Sequence, residues 1–306
     1  MHDFVPIQNG VENSNWFIIA ADLAQTQYVL TLFEERNVDD VETLTRLMLA
    51  LKAAGLPVAA PLAVIDPPQL NTSCLYSVYG DKALQLAPRL VGQHPDIASI
   101  AMCTHMGSTL AKLHASFAQL TPTADYTLAQ YPWQRAYDQH LPVLNTDDKL
   151  LIQAIWQQYA DCQLHTDADA QSLPTGLTHG DLFLDNTLWQ GEHLTGLLDF
   201  TEVCDDYLLM DIAITANDYC TDWQQMSFDQ DKLRAFIAGY TQVRALTTTE
   251  HSHMRLFLAM AAARFWLLRL DIIQQNTTQD RAGEHVLVKS PQRMRDLAQI
   301  HYAQLH

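Results

Sequence analysis

The segment His179-Gly180-Asp181-Leu182-Phe183-Leu184-Asp185-Asn186, followed by Asp199 in Gly196-Leu197-Leu198-Asp199-Phe200, carries the residues of this chain best suited to chemistry. A carboxylate and a carboxamide share one tight loop, and a second carboxylate ends the next apolar strand. Phosphoryl transfer from ATP to an alcohol needs such a set: a carboxylate to receive the alcohol proton, and an amide oxygen plus a carboxylate to hold Mg²⁺ on the phosphates. Asp181 is the candidate base, and Asn186 and Asp199 are the candidate Mg²⁺ ligands, both hard oxygen donors. His179 reads as a prop that holds the loop by hydrogen bonding. An Asp-rich loop is ordinarily just a turn, because Asp and Asn bond their own backbone. Order and spacing lift this one above that reading. Residues 187–189 form a short strand, Gly191-Glu192 turns it, and residues 194–198 return, which delivers Asp199 beside Asn186.

A nucleotide also needs a cradle for its phosphates. Residues 10–15, Gly-Val-Glu-Asn-Ser-Asn, lie between two predicted strands, where backbone N–H groups can wrap phosphate oxygens; Ser14 and Asn15 are the candidates there. The adenine is expected along residues 82–90, with Ala87 and Leu90 as its contacts. No Gly-x-x-x-x-Gly-Lys-Ser/Thr occurs, which excludes a P-loop enzyme, and no Gly-x-Gly-x-x-Gly follows a strand.

The elements that must position these groups divide the chain in two. Residues 1–91 read as a nucleotide-binding lobe: strands at 4–8, 16–21, 27–33, 62–65, 72–78 and 82–87, with one helix over 39–54. Asp39 with Glu42 looks like a capping box for that helix, and Gly55 with Pro57 stops it. Residues 92–306 read as a larger helical lobe, with the catalytic hairpin inserted in it and a boundary near 89–95. Helices are expected at 96–118, 147–163, 208–219, 229–243, 250–273 and 292–304. The first has Ile97, Ile100, Met106, Leu110 and Leu113 along one side. Ser227 with Gln230, Thr247 with Glu250, and Ser290-Pro291 serve as starts for the last three.

Composition narrows the partners. The 306 residues include 35 acidic against 18 basic, a net charge of −17, which repels nucleic-acid phosphates and anionic lipid. Mg²⁺ and local backbone dipoles offset the same field for ATP. The five cysteines form no Cys-x-x-Cys pair and read as isolated thiols of a reducing cytoplasm. Residues 1–4 show no basic stretch leading into an apolar run, and the most apolar segment, 256–270, is broken by Arg264 and Arg269. A cytoplasmic protein with a small-molecule substrate, and no membrane or nucleic-acid partner, is expected.

The run Glu12-Asn13-Ser14-Asn15-Trp16-Phe17 with residues 28–34, Tyr-Val-Leu-Thr-Leu-Phe-Glu, resembles the start of bacterial homoserine kinases of the aminoglycoside-phosphotransferase-like, type II group. The catalytic loop, residues 206–214, 217–220 and 264–270, and the tail 286–289 are similar as well, in the same order along nearly the whole chain. The loop is specific only to the wider superfamily; the later segments carry the narrower likeness. The resemblance implies an α+β, two-lobed protein-kinase-like fold, with an antiparallel sheet lobe and a larger, mostly helical lobe. It further implies ATP and Mg²⁺ as cofactors, and phosphorylation of L-homoserine on the route to threonine. Kinases of other small alcohols, such as choline, methylthioribose, an amino sugar or an aminoglycoside, share the loop.

One position departs from the wider kinase pattern. The third strand usually carries a Lys toward the α/β-phosphates, and here Thr31 stands there. A non-catalytic nucleotide-binding protein is the rival reading that this position suggests. On the substrate side, a zwitterionic acceptor needs a cation for its carboxylate and an anion for its ammonium. Arg264 and Arg269 sit in an apolar helix, where an unpaired guanidinium is costly. Either they pair internally with Asp205, Asp206 or Asp211, or one of them, Arg264 first, grips the substrate carboxylate with a bidentate fork. The acidic run 202–206, with Glu202, Asp205 and Asp206, is placed to meet the ammonium.

Overall fold

The computed structural model describes residues 3–7, 13–21, 26–34, 36–63, 75–128, 130–164, 172–278 and 289–305. Strands β1 (Asp3–Ile7), β2 (Asn13–Ile19) and β3 (Gln27–Phe33) precede helix α1 (Val38–Ala53), and β4 (Ser77–Tyr79) and β5 (Lys82–Pro88) follow it. The five strands form one antiparallel sheet in the order β1-β2-β3-β5-β4. Residues 62–63 form no strand, although the Leu62 amide donates to Leu86 at 2.8 Å; residues 64–65 and 72–74 lie outside the described residues.

The α1 cap is Asn37, not Asp39: the Asn37 side chain accepts from the Asp40 amide, which places Asp39 inside the first turn beside the positive helix end. Gly55, at φ +83°, ends the helix in a conformation that glycine adopts without steric cost. Val41, Leu44, Leu47 and Leu51 are buried on one face of α1.

Beyond the sheet the chain is mainly helical: α2 (Ile100–Phe117), α3 (Trp133–His140) and α4 (Thr146–Leu164) come first. Short strands β6 (Thr175–Thr178), β7 (Thr187–Gln190), β8 (His193–Leu197) and β9 (Cys204–Tyr207) lead to α5 (Leu208–Tyr219). The two-residue strands β10 (Thr221–Asp222) and β11 (Ser227–Phe228) then precede α6 (Gln230–Thr241), α7 (Thr248–Thr278) and α8 (Pro291–Tyr302). Helix α2 starts four residues later than its pattern suggests, capped by Ser99, whose Oγ accepts from the Met102 amide at 3.2 Å. Its buried face is Met102, Cys103, Met106, Leu110 and Leu113, whereas Ile97 and Ile100 are each 54% exposed. Helix α6 is capped by Asp229 rather than started by Ser227, since Asp229 Oδ1 accepts from Asp231 N and Lys232 N. The expected box at α7 is present: the Thr247 amide donates to Glu250 Oε2 at 2.8 Å, and the Glu250 amide to Thr247 Oγ1 at 3.1 Å.

The core runs through α2, α5 and the first half of α7, whose residues 256–267 are all buried. Helices α2 and α6 cross at backbone contact. A Cβ on Gly107 would stand 2.0 Å from the Phe236 carbonyl oxygen, and one on Gly239 would stand 2.0 Å from that of Thr104. Any side chain at either position forces the helices apart, an overpacking cost of about 1–3 kcal/mol. Among the described residues, no helix is long and apolar enough to cross a membrane.

The β7–β8 hairpin is stitched to the chain on both sides of β5. Leu197 N donates to the Pro57 carbonyl at 2.8 Å, and Gln93 and Trp189 exchange two backbone hydrogen bonds of 2.9 Å. Gly92, at φ +141°, lies so close to the hairpin that a Cβ there would meet Thr195 Oγ1 at 2.5 Å.

Candidate active site

Strand β6 pairs with β9, and the chain leaves β6 directly into the loop that carries Asp181. Two acids of α5 hold this loop. Asp211 accepts from the His179 amide at 2.8 Å and the Gly180 amide at 3.0 Å, and also from His114 Nε2 at 2.9 Å. Asp218 accepts from the Leu184 amide at 2.7 Å and from Trp223 Nε1 at 2.9 Å. Burial works against the Asp211 carboxylate, but the hydrogen bonds from His114 and from the His179 amide outweigh it and hold its pKa below the ordinary value. Asp218 goes the other way: burial raises its carboxyl more than its two donors lower it. Gly180 supplies the turn at φ +79°, where a Cβ would fall 2.7 Å from the Glu202 carbonyl oxygen.

His179 is fully buried, with Nε2 3.0 Å from the Leu198 carbonyl oxygen, and burial drives its pKa down, so that the ring is neutral at pH 7 and Nε2 donates. Asn186 closes the loop across its own chord. Its Nδ2 donates to the Asp181 carbonyl at 2.7 Å and to Asp181 Oδ2 at 2.9 Å. The Leu198 amide donates to the Asn186 carbonyl at 2.9 Å, so the returning strand sets down Asp199 just beyond Asn186. Asp199 is exposed, takes a left-handed backbone (φ 55°), and accepts from Thr201 Oγ1 at 2.5 Å. The Asp181 carboxyl stands well above the ordinary carboxylate value, first through burial, then through the charges of Asp199, Asp185 and Glu202, with Lys289 pulling the other way.

The other expected residues fall in three places. Residues 10–12 lie outside the described residues, and Ser14 and Asn15 belong to strand β2 rather than to a free loop, because they pair with Leu32 and Thr31. Asn15, Thr31 and Gln85 stand in register across β2, β3 and β5. Thr31 Oγ1 donates to Asn15 Oδ1 at 2.7 Å, and Gln85 Nε2 donates to Thr45 Oγ1 of α1 at 2.7 Å. Asn15, Thr31 and Gln85 thus make a neutral polar row across the sheet. On the opposite face Ser14 Oγ donates to Glu34 Oε1 at 2.6 Å, and Glu34 pairs with Lys82. Ala87 pairs with Val29 at the end of β5, and Leu90 lies against Gly196 of the hairpin.

The acidic run is divided. Glu202 pairs with Arg36 at 3.0 Å near Asp181, while Asp205 is exposed. Asp206 is taken up by Arg264, with Nη1 to Oδ2 at 2.6 Å, while Nη2 donates to the Tyr159 hydroxyl at 3.1 Å and the guanidinium lies 5.2 Å from the Trp133 ring centre. Of the two readings of Arg264, this geometry is the internal ion pair with Asp206. Asp211 and Asp218 escape the sequence reading as loop anchors. Their signal was there: two acids seven positions apart on the buried side of an apolar helix need donors, and loop amides are the donors at hand.

A family model, the phosphotransferase enzyme family, matches residues 3–246. Homoserine kinase of Pseudomonas aeruginosa strain PAO1 is 34% identical over 294 residues, covering 95% of this chain and 86% of that protein. Homoserine kinase of Neisseria meningitidis serogroup B is 30% identical, covering 96% and 91%. Among solved structures, a microcompartment-associated aminopropanol kinase superposes with a TM-score of 0.70 at 14% identity, over 98% of this chain and 90% of that one. Wild-type aminoglycoside 2'-phosphotransferase-IIIa in its GDP complex gives 0.65 at 15% identity, over 100% and 94%. These two share the fold, which is that of the two-lobed, protein-kinase-like phosphotransferases. On the match over residues 3–246 and the likeness along almost its whole length to homoserine kinases, the chain belongs to the phosphotransferase enzyme family.

Proposed function

We propose that this chain transfers the γ-phosphoryl group of ATP to the hydroxyl of L-homoserine, with Asp181 as the base and Asn186 and Asp199 as the metal ligands. The observation that carries the reading is the Asn186–Asp181 contact, with Asp199 set beside it by the hairpin, in a chain related end to end to homoserine kinases. Asp181 orients the hydroxyl and takes its proton as the new O–P bond forms and the β,γ-bridging O–P bond breaks, with ADP leaving.

The donor set fits Mg²⁺. Among the described residues no three His, Cys, Asp or Glu converge as a metal cage, and Mg²⁺ is commonly held by one or two protein oxygens plus phosphates. Because Asn186 spends Nδ2 on Asp181, its Oδ1 is the atom left for a metal. Bound there, Mg²⁺ supplies charge neutralisation on the phosphates. The nucleotide would lie between the Asn15–Thr31–Gln85 row and the catalytic loop, with Ala87 and Leu90 toward the adenine and the lobes meeting at 89–95. Glu202, near Asp181 and paired with Arg36, is the carboxylate we assign to the substrate ammonium. A reducing cytoplasm suits the free thiols Cys103, Cys162, Cys204 and Cys220.

The test is a coupled ADP-release assay with homoserine, choline, an aminoglycoside and simple amino alcohols as acceptors. Turnover highest with homoserine is expected. Turnover of another alcohol in its place would reassign the acceptor, and nucleotide binding without turnover of any would remove the catalytic reading.

A further inference from the structure

Three buried or half-buried arginines of the helical part each hold an acid: Arg244 holds Glu250 at 2.9 Å, Arg264 holds Asp206 at 2.6 Å, and Arg295 holds Asp148 at 2.6 Å. Arg269 does not. It is 8% exposed, yet its one hydrogen bond among the described residues runs from Nη1 to the Ser290 carbonyl at 2.9 Å. That carbonyl takes one of five N–H donors. A desolvated guanidinium with no carboxylate in contact is costly, and here burial draws its pKa down to about 10 even though Asp218, Asp185 and Asp181 support its charge.

A second cation adjoins Ser290 in the chain. Lys289 precedes Ser290, reaches back to Asp185 of the catalytic loop, and lies 5.4 Å from the centre of the Phe183 ring. Phe183 joins this corner to the chemistry: its amide donates to the Asp181 carbonyl at 2.9 Å, and its ring meets Phe265 of α7 edge to face at 4.7 Å. Both partners of the Lys289–Asp185 pair are more than half exposed, so exchanging Asp185 for another carboxylate costs little.

We propose that Arg269 and Lys289 form the cationic end of the acceptor pocket and bind the carboxylate of an amino-acid alcohol whose hydroxyl faces Asp181. The inference rests on the phosphotransferase reading above and names what selects the acceptor. Arg269 supplies a planar fork matched to a carboxylate, and Lys289 a mobile point charge. Arg264 is not available for this role, being occupied by Asp206 and Tyr159. An amino alcohol without a carboxylate would leave the buried guanidinium unmatched, which is the basis of discrimination.

The test compares wild type, Lys289→Met and Arg269→Lys in steady-state kinetics with L-homoserine and with 3-aminopropan-1-ol, which keeps the amine and hydroxyl but lacks the carboxylate. Wild type should favour homoserine in kcat/KM by about 10²-fold or more. Each variant should lose about tenfold more with homoserine than with the amino alcohol, through KM, at an unaltered ATP KM. Lys289 is on the surface, so its variant reports even if the Arg269 variant fails to fold. Equal losses with both substrates would mean that the two cations merely balance the acids of the loop, and would overturn the proposal. Wild type that does not discriminate overturns it as well. A wild type inactive with homoserine overturns the preceding subsection instead; the cation pair then stands if the alcohol it does accept carries a carboxylate, and falls if not.

Discussion

Asp211 and Asp218 stand two turns apart on α5 and grip the catalytic loop at both ends, one through the amides of His179 and Gly180, the other through the amide of Leu184. Between these two clamps lies Asp181. The loop is therefore positioned by a helix as well as by its own turn contacts. Asp211→Ala would leave two amides and His114 facing an apolar gap and should cost about 3–5 kcal/mol, as for one partner of a buried pair. Urea midpoints check this; a loss under 1 kcal/mol would mean that the loop holds its own shape.

Asp181→Asn removes the proposed base and keeps a side chain of the same size beside Asn186. Turnover should fall by ~10²–10⁴-fold while the Mg·ATP Kd and the thermal midpoint stay near wild type. Turnover within a few-fold of wild type would take the proton-transfer role away from Asp181.

Asp199→Ala should act on a different quantity. Asp199 is exposed and, among the described residues, its side-chain hydrogen bonds run to Thr201, so the fold should tolerate its loss. The affinity for Mg·ATP should weaken, measured by titration at fixed free Mg²⁺. Unchanged affinity would move the metal site elsewhere.

Arg264→Met strips Asp206 of its buried cation, and the thermal midpoint should drop strongly. Adding Asp206→Asn should recover part of the loss, because the second change removes the stranded charge. A single variant as stable as wild type would show that the pair contributes nothing to the fold.

His301 gives a pH signature. It is buried with Nε2 2.8 Å from Asn217 Oδ1, and burial depresses its pKa to about 3. Below its unfolded pKa of about 6.5 the unfolded chain binds a proton that the folded chain refuses. Stability is therefore full above that value and falls as pH drops toward the folded one, by at most about 1.4 kcal/mol per pH unit. Relative to His301→Gln, which retains a donor for Asn217, wild type should lose stability between pH values of about 7 and 5. Parallel denaturation curves across that range would contradict it.

Local signals were read well where the physics is local. The hairpin after Asn186, the α5 span 208–219 and the Thr247/Glu250 box depend on turn residues, periodicity and neighbouring side chains. The rest depends on contacts distant in sequence. Periodicity placed Ile97 and Ile100 on the buried side, but α2 begins only at its Ser99 cap, and both are left outside the core. Helix α3, Trp-Gln-Arg-Ala-Tyr-Asp-Gln-His, shows too little apolar pattern to announce itself. The β6–β9 pair joins residues about thirty apart, which no window of sequence sees. That Asp181, Asn186 and Asp199 would come together was legible, because a loop and a hairpin close in sequence join them; Asp211 and Asp218, defined by the distant amides they hold, were not.

The stitching of the β7–β8 hairpin to Pro57 and to Gln93 has a mechanical consequence. Because the hairpin that leads to Asp199 is fastened to the backbone both before and after β5, a displacement of that edge of the sheet must either carry the hairpin with it or break these three hydrogen bonds. The position of Asp199 is thus tied to the sheet as well as to the loop beside it.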